Sequence, residues 1–305
     1  MYSNAYDLYP STGEIESWIE DIWTFANSIP LNVEVLPDNG WRNNYGTFHM
    51  TENRIVKFSP EGMVPFYGVW QPVIKGPSPL VVHLPGYGAE LSNHPDIVAQ
   101  GYNLLNLSPL GYWTPEGFYK SLQKDGNWPV LPDTIRTKAQ GGYKNWLLNC
   151  VMAVKWAWEQ NTVIADRVSF FGTSQGGGTA LLLGSIFKDR GIRCVAADEP
   201  FLTDYPKAAW RGAYAVAKDA FNNESEKAEA WHSLGFVDTI AHAFRMVYPV
   251  LLTEGGLDEK CPPDTVDSLY DKLPFTKSKT FLSGRGHGYN YEFIHLVCAW
   301  FRIFA

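Results

Sequence analysis

The stretch Val168-Ser169-Phe170-Phe171-Gly172-Thr173-Ser174-Gln175-Gly176-Gly177-Gly178-Thr179-Ala180-Leu181-Leu182 decides how the chain is read. It opens as a strand-like apolar run, passes through a G-x-S-x-G turn over Gly172–Gly176, and continues as a helix-like run that reaches Phe187. A strand-to-helix turn this tight holds its central residue in a strained backbone conformation, and only small neighbours avoid collision there. Gly172 and Gly176 supply them. The reading places Ser174 at a helix N-terminus, where unpaired amides and the helix dipole favour a developing negative charge. G-x-S-x-G alone is a frequent accident, and a plain glycine-rich turn is the ordinary alternative. The strand before it and the helix after it give the motif its meaning.

Outward from this turn, apolar runs alternate with helical patterns. Leu80–Leu84 is followed by Pro85-Gly86-Tyr87-Gly88, and Asn103–Leu107 by a long loop. A helix is expected from about Gln140 to Gln160, a strand at Cys194–Ala197, and a helical stretch from about Tyr205 to Ala243. Strand Pro249–Thr253, helix Pro263–Leu273, strand Lys279–Leu282 and helix Tyr291–Phe301 follow. Upstream, Ser11 and Glu14 form a capping box for a helix to Ser28, whose apolar stripe includes Ile15, Trp18, Ile19 and Ile22. Thr47–Met50, Ile55–Phe58 and Val64–Val73 read as an antiparallel lead-in to a sheet. Strands alternating with helices predict an α/β fold, a mostly parallel central sheet with helices on both faces. In such sheets ligands sit beyond the carboxyl ends of the strands. We expect a single domain over residues 1–305, with an N-terminal helical extension (1–63) and a helical, cap-like insertion at about 201–245.

Composition narrows the class. The chain has 305 residues, 25 basic and 32 acidic, a net charge of −7. With 45% hydrophobic residues it can bury a core, so it is not disordered by composition. The acidic balance and the lack of a basic run argue against nucleic acid as partner. No apolar stretch of about 18 residues suggests a membrane span. The first residues show no basic segment followed by an apolar one, so a cytoplasmic location is expected. Cys150, Cys194, Cys261 and Cys298 are widely spaced and read as reduced and mostly buried, without a metal role. No cofactor is implied.

A serine nucleophile on such a turn needs a base and an acid, which follow it in the chain in the α/β-hydrolase order. The loop after strand Pro249–Thr253 offers Asp258, with Glu254, Glu259 and Asp264 as rivals. The glycine-flanked His287 follows the last strand, whereas His83 reads as structural and His295 as packed on the final helix. His287 would take the serine proton and return it to the leaving group, and Asp258 would fix its tautomer. The two oxyanion donors would be the backbone N–H groups of Gln175, after the nucleophile, and Tyr87, in the loop after Leu84.

These motifs together resemble carbohydrate esterase family 7, the acetyl xylan esterases and cephalosporin C deacetylases. The likeness runs from about residue 64 onward through Leu84–Gly88, Gly172–Gly177, Glu199-Pro200-Phe201-Leu202 and Gly256–Pro263. Its most specific part is the acid loop, where Asp258 precedes Cys261-Pro262-Pro263. The resemblance implies an α/β-hydrolase with Ser174, Asp258 and His287 as triad and Tyr87 and Gln175 as oxyanion donors. It also implies a homo-oligomer, often a hexamer. Two positions depart from the family pattern: Ser108-Pro109-Leu110-Gly111 stands in place of Arg-Gly-Gln, and Gly288 in place of a glutamate after the histidine.

The expected reaction is removal of an acetyl or other small acyl group from a carbohydrate-type ester through an acyl-enzyme. The chain holds 12 tryptophans. Trp18 and Trp158 fall on apolar helical stripes. Trp113, Trp128, Trp210 and Trp231, with Pro200, are candidate substrate contacts, since aromatic faces stack on sugar or phenolic rings. Packing of the insertion onto the core would use the same tryptophans. An aryl-acyl (feruloyl-type) esterase is an alternative reading. A prolyl-oligopeptidase-like peptidase and a non-catalytic binding protein of the same fold are weaker ones.

Overall fold

The computed structural model describes residues 3–36, 54–73, 75–87, 91, 94–110, 142–222, 227–288 and 290–305, with the backbone of the short strands 42–43, 46–47, 113–114 and 117–118. Nine strands form one sheet. They are β1 (Leu31–Leu36), β2 (Arg54–Pro60), β3 (Phe66–Gln71), β4 (Ser78–Leu84), β5 (Asn103–Ser108), β6 (Val163–Thr173), β7 (Ile192–Asp198), β8 (Val250–Gly255) and β9 (Lys277–Leu282). Their order across the sheet is β1-β2-β3-β5-β4-β6-β7-β8-β9. From β5 to β9 every pairing is parallel, and β1, β2 and β3 join antiparallel at the other edge. This is the expected mostly parallel α/β sheet with an antiparallel lead-in.

Alternation along the strands assigns the two faces. Leu80, Val82, Leu84, Phe170, Val195, Ala197 and Leu252 join one apolar core; Val81, Leu104, Phe171, Cys194, Ala196 and Leu251 join the other. The first core is covered by α1 (Thr12–Ser28), by α3 (Tyr143–Trp158) and by α4 (Gln175–Ile186), which is buried along its whole length. The second lies under α2 (Pro95–Ala99) and under α9 (Tyr291–Phe304), whose Phe301 meets Phe171 and Tyr102 edge-on. A parallel sheet covered on both faces needs apolar residues at successive positions, which is why β5 and β8 are buried throughout.

Three expectations need correction. Leu31–Leu36 pairs with β2 and forms the outer strand, although no strand was expected there; its apolar–polar alternation suits a half-exposed edge. Thr47 lies in a two-residue strand paired with 42–43 outside the main sheet, and 48–50 lie outside the described residues. The stretch from 205 to 243 is not one helix. It breaks into α5 (Tyr205–Ala208), a 3₁₀ segment (Gly212–Phe221), α6 (Lys227–Gly235) and α7 (Thr239–His242). Left-handed backbone at Asp204, Ala209, Trp210 and Gly212 interrupts any continuous helix. The helix after it in sequence, α8 (Pro263–Lys272), keeps the expected span.

The N-terminal segment is tied to this broken region. Tyr6 donates to Asp204 at 2.6 Å, Tyr9 donates to Asp238 at 2.7 Å, and Trp18 packs on Phe236 and His242. The capping box at Ser11 and Glu14 is present. All four cysteines are free thiols, three buried and Cys298 half-buried. Among the described residues no helix is long and apolar enough to cross a membrane.

Candidate active site

Ser174 sits between β6 and α4 with φ 59° and ψ −121°, the strained turn that the motif requires. Its N–H donates to Asp198 O, and its own carbonyl accepts from Phe201 N–H and Gly178 N–H. Three of the surrounding glycines are steric necessities. A Cβ on Gly172 would lie 2.6 Å from Leu84 O, one on Gly176 2.1 Å from the same atom, and one on Gly178 1.9 Å from Phe201 O. The elbow is therefore wedged between the end of β4 and the chain leaving β7. That wedge brings the Pro85–Tyr87 loop alongside Ser174, with Gly86 facing Thr173 O.

The remaining site residues arrive from later loops. His287 Nε2 lies 2.9 Å from Ser174 Oγ, and its Nδ1 lies 2.8 Å from Asp258 Oδ2. Asp258 Oδ1 accepts from the backbone N–H groups of Lys260 and Cys261 at 2.7 and 2.8 Å. This is why the acid stands three residues before Cys261: the Cys-Pro-Pro turn aims two amides at one carboxylate oxygen and leaves the other for the imidazole. Two of the three rival acids are engaged elsewhere, Glu254 with Lys279 and Asp264 with Arg211. Among the other histidines, His83 and His94 are buried against each other, His232 meets Glu14, His242 meets Ser185 and His295 packs on Tyr291. His49 lies outside the described residues.

Burial and charge set the protonation tendencies. Burial pulls the His287 pKa down, but the hydrogen bond and charge of Asp258, with the charges of Glu199 and Asp198, outweigh it, so the net shift is upward. Burial raises the Cys261 thiol well above its ordinary range. Asp258, Cys261 and His287 each bring one donor atom within 4.8 Å of the others. The carboxylate and ring atoms of Asp258 and His287 are engaged in the hydrogen bonds just described.

The chain's place among known proteins follows once this geometry is in view. The sequence model of the acetyl xylan esterase (AXE1) family matches residues 67–302. The chain belongs to the acetyl xylan esterase family. It is a carboxylic ester hydrolase with the α/β-hydrolase fold, as the resemblance to carbohydrate esterase family 7 implied. Solved relatives are distant in sequence and near in fold. Acetyl xylan esterase 1 from Thermoanaerobacterium sp. JW/SL YS485 shares 19% identity with a TM-score of 0.77, covering 95% of this chain and 93% of that one. The acetyl xylan esterase from Paenibacillus sp. R4 shares 20% with a TM-score of 0.76, covering both chains fully (100% each). A Pyrococcus horikoshii acylaminoacyl peptidase is similar at 14% identity and TM-score 0.59, over 82% of this chain and 41% of that one.

The structure does not bring every candidate contact to the site. Trp231 is 2% exposed. It stacks on Trp210 with centroids 5.3 Å apart and packs on Phe221 and Tyr9, so it has no open face for a sugar. Trp210 is half-buried in the same stack. Trp231 ties the insertion to Tyr9 of the N-terminal segment, and Trp210 packs on it within the insertion. Pro200 is buried, its Cα 3.2 Å from where a Cβ on Gly177 would stand. The backbone of Trp113 forms a two-residue strand with 117–118, and Trp128 lies outside the described residues. Trp18 is buried and Trp158 half-buried against the core, as their stripes suggested.

Sequence reasoning missed four groups around the elbow. Asp198 is fully buried between Thr173 Oγ1 and Thr253 Oγ1, and burial pushes its carboxyl up to about 7. Tyr143 Oη donates to Gln175 Oε1 at 2.9 Å, which anchors the residue after Ser174. Asn149 donates to Pro109 O at 2.6 Å, fixing the Ser108-Pro109-Leu110 departure to α3. Glu199 lies against His287. A signal for the acidic pair was present: two adjacent carboxylates follow directly on the apolar run Cys194–Ala197.

Proposed function

We propose that Ser174, His287 and Asp258 form a catalytic triad and that the protein is a serine carboxylesterase working through an acyl-enzyme. The observation that carries this reading is the unbroken relay Asp258 Oδ2–His287 Nδ1 (2.8 Å) and His287 Nε2–Ser174 Oγ (2.9 Å) on a strained strand-to-helix turn. Ser174 Oγ attacks the ester carbonyl while His287 Nε2 takes its proton. Asp258 holds the tautomer in which Nε2 is the acceptor and stabilises the imidazolium that forms. His287 then returns the proton to the leaving alcohol. Water, deprotonated by the same imidazole, releases the acid from Ser174.

The tetrahedral oxyanion is received by backbone N–H groups of Gln175 and Tyr87 in this proposal. Gln175 opens α4, so its N–H has no partner within the helix. Tyr87 lies on the loop wedged against the elbow through Leu84, Pro85 and Gly86. Removing one such donor costs on the order of a hundredfold in rate.

The substrate we propose is an acetyl ester on a carbohydrate, supported by membership of the acetyl xylan esterase family. Acetylated xylo-oligosaccharides, feruloylated sugars and nitrophenyl esters of rising chain length test it. Acetyl esters of sugars should be cleaved best. Preference for feruloyl or long acyl groups would overturn the deacetylase reading and leave the esterase reading standing.

A further inference from the structure

Glu199 follows the last residue of β7, in left-handed backbone with φ 43° and its N–H bonded to Thr253 O. Its side chain is fully buried. One oxygen, Oε1, accepts from Asn290 Nδ2 at 3.0 Å. The other, Oε2, accepts from Gly288 N–H at 2.9 Å and stands 3.3 Å from His287 Nδ1. The carboxylate fits only because Gly255, at the end of β8, has no side chain: a Cβ there would lie 2.5 Å from Oε1. Gly288 adopts φ +150°, left-handed space open to glycine, as it turns its N–H to Glu199.

His287 Nδ1 thus faces two carboxylates from two different strand ends. Asp258 stands at 2.8 Å and Glu199 at 3.3 Å. Asp258 Oδ1 is already saturated by two amides. Burying a second carboxylate costs several kcal/mol unless it is paired and hydrogen-bonded. Here the carboxylate partners of Glu199 among the described residues, His287, Gly288 and Asn290, all belong to one loop. Such an expenditure is hard to explain by packing alone, since an apolar side chain would fill the same space without the penalty.

We infer that Glu199 is a positioning residue, a second carboxylate partner of His287 that fixes the ring through the 287–290 loop and shares with Asp258 the stabilisation of the imidazolium. The inference rests on the triad reading. Among the described residues, the charged or titratable groups facing His287 are Asp198 and Glu199 from the end of β7, Asp258 and Cys261 from the β8–α8 loop, and Ser174 on the elbow. On its own loop Arg285 is paired with Glu292 and turned outward.

The test is a titration of the His287 ring by NMR in the free protein, alongside kcat/KM against pH. Glu199→Gln keeps the shape and removes the charge; the Asn290 amide can turn over to match it. The His287 midpoint should fall by about one pH unit, because an opposite charge within hydrogen-bonding range has left. The acid limb of kcat/KM should move the same way, with kcat down roughly tenfold and KM little changed, as for a group acting at the transition state. Glu199→Asp withdraws the charge by one methylene and should give an intermediate midpoint; it carries the test if the Gln variant does not fold. A midpoint at the wild-type pH in the folded variant overturns the inference, even if its Tm is lowered. The titration needs no turnover, so a wild-type protein that cleaves no ester would sink the triad reading while still reporting on Glu199.

Discussion

At the residue scale, geometry fixes which changes are tolerated. Ser174→Ala removes the proposed nucleophile without altering the turn, so ester hydrolysis should fall by at least about a thousandfold while Tm stays near wild type. Gly176→Ala should do the reverse. Its Cβ would meet backbone oxygen at 2.1 Å, and neither partner is a flexible side-chain end. Loss of roughly 2–4 kcal/mol in urea unfolding, or insoluble protein, is expected. The pH profile follows from the sign of the His287 shift. Attack needs the neutral ring, so kcat/KM falls as pH drops through the His287 pKa. Because that pKa is raised, the half-loss point should lie above 6.5. A midpoint below that value would contradict the carboxylate environment described for the ring. Ser174, Asp258 and His287 were all legible in the sequence as candidates, because each follows a strand and each is marked, Ser174 and His287 by glycines and Asp258 by the Cys-Pro-Pro turn. Glu199 was not, because nothing in a linear sequence shows that residues 199 and 287 meet.

At the element scale, regular strands and helices were legible and the insertion was not. Periodicity identifies α1, α4 and α9 because each presents apolar positions at helical spacing or along its whole length. The segment from 204 to 242 carries helix-forming residues, but tertiary contacts override propensity there. Asp238 shows how. Its two oxygens accept from Asp204 N–H, Ile240 N–H, Tyr205 N–H and Tyr9 Oη. Burial, and the neighbouring Asp204, still push its carboxyl up to about 7. A carboxyl raised in the folded state favours folding below its unfolded pKa and loses that contribution as pH rises through about 7. The Asp238 contribution to stability should therefore be lost between about pH 4 and pH 7, and in a Tyr9→Phe variant, lacking one donor to the charged form, that loss should continue to higher pH; thermal unfolding of the two proteins compared at pH 7 and pH 8 checks this. Composition drew Trp210 and Trp231 toward the substrate because aromatics suit clefts and cores alike. Trp231→Ala should cost roughly 3–5 kcal/mol in unfolding free energy and leave acyl-chain preference unchanged. A shifted preference with unchanged stability would restore the cleft role.

At the scale of the whole molecule, the sheet gathers chemistry at one end. The elbow after β6, Asp198 and Glu199 at β7, Asp258 after β8 and His287 after β9 all lie at carboxyl ends of neighbouring parallel strands. Strands this close in order need no long-range adjustment to bring their loops together, which is why a reading of strand ends could find the site before any coordinates. The two cores flanking the sheet hold those ends in place. Phe301→Ala, on the face of α9 turned to Phe171, should lower the denaturant midpoint while leaving the pH dependence of kcat/KM unaltered, since that face lies across the sheet from α4. The central claim is that Ser174 carries the acyl group. Rapid mixing with a nitrophenyl acetate, acid quench and peptide mass spectrometry tests it most directly. One acetyl should appear on the peptide containing Ser174 in step with the burst of nitrophenol, and should vanish in Ser174→Ala. Acetate release at the wild-type rate by Ser174→Ala, or a burst with the acetyl on another residue, would contradict it.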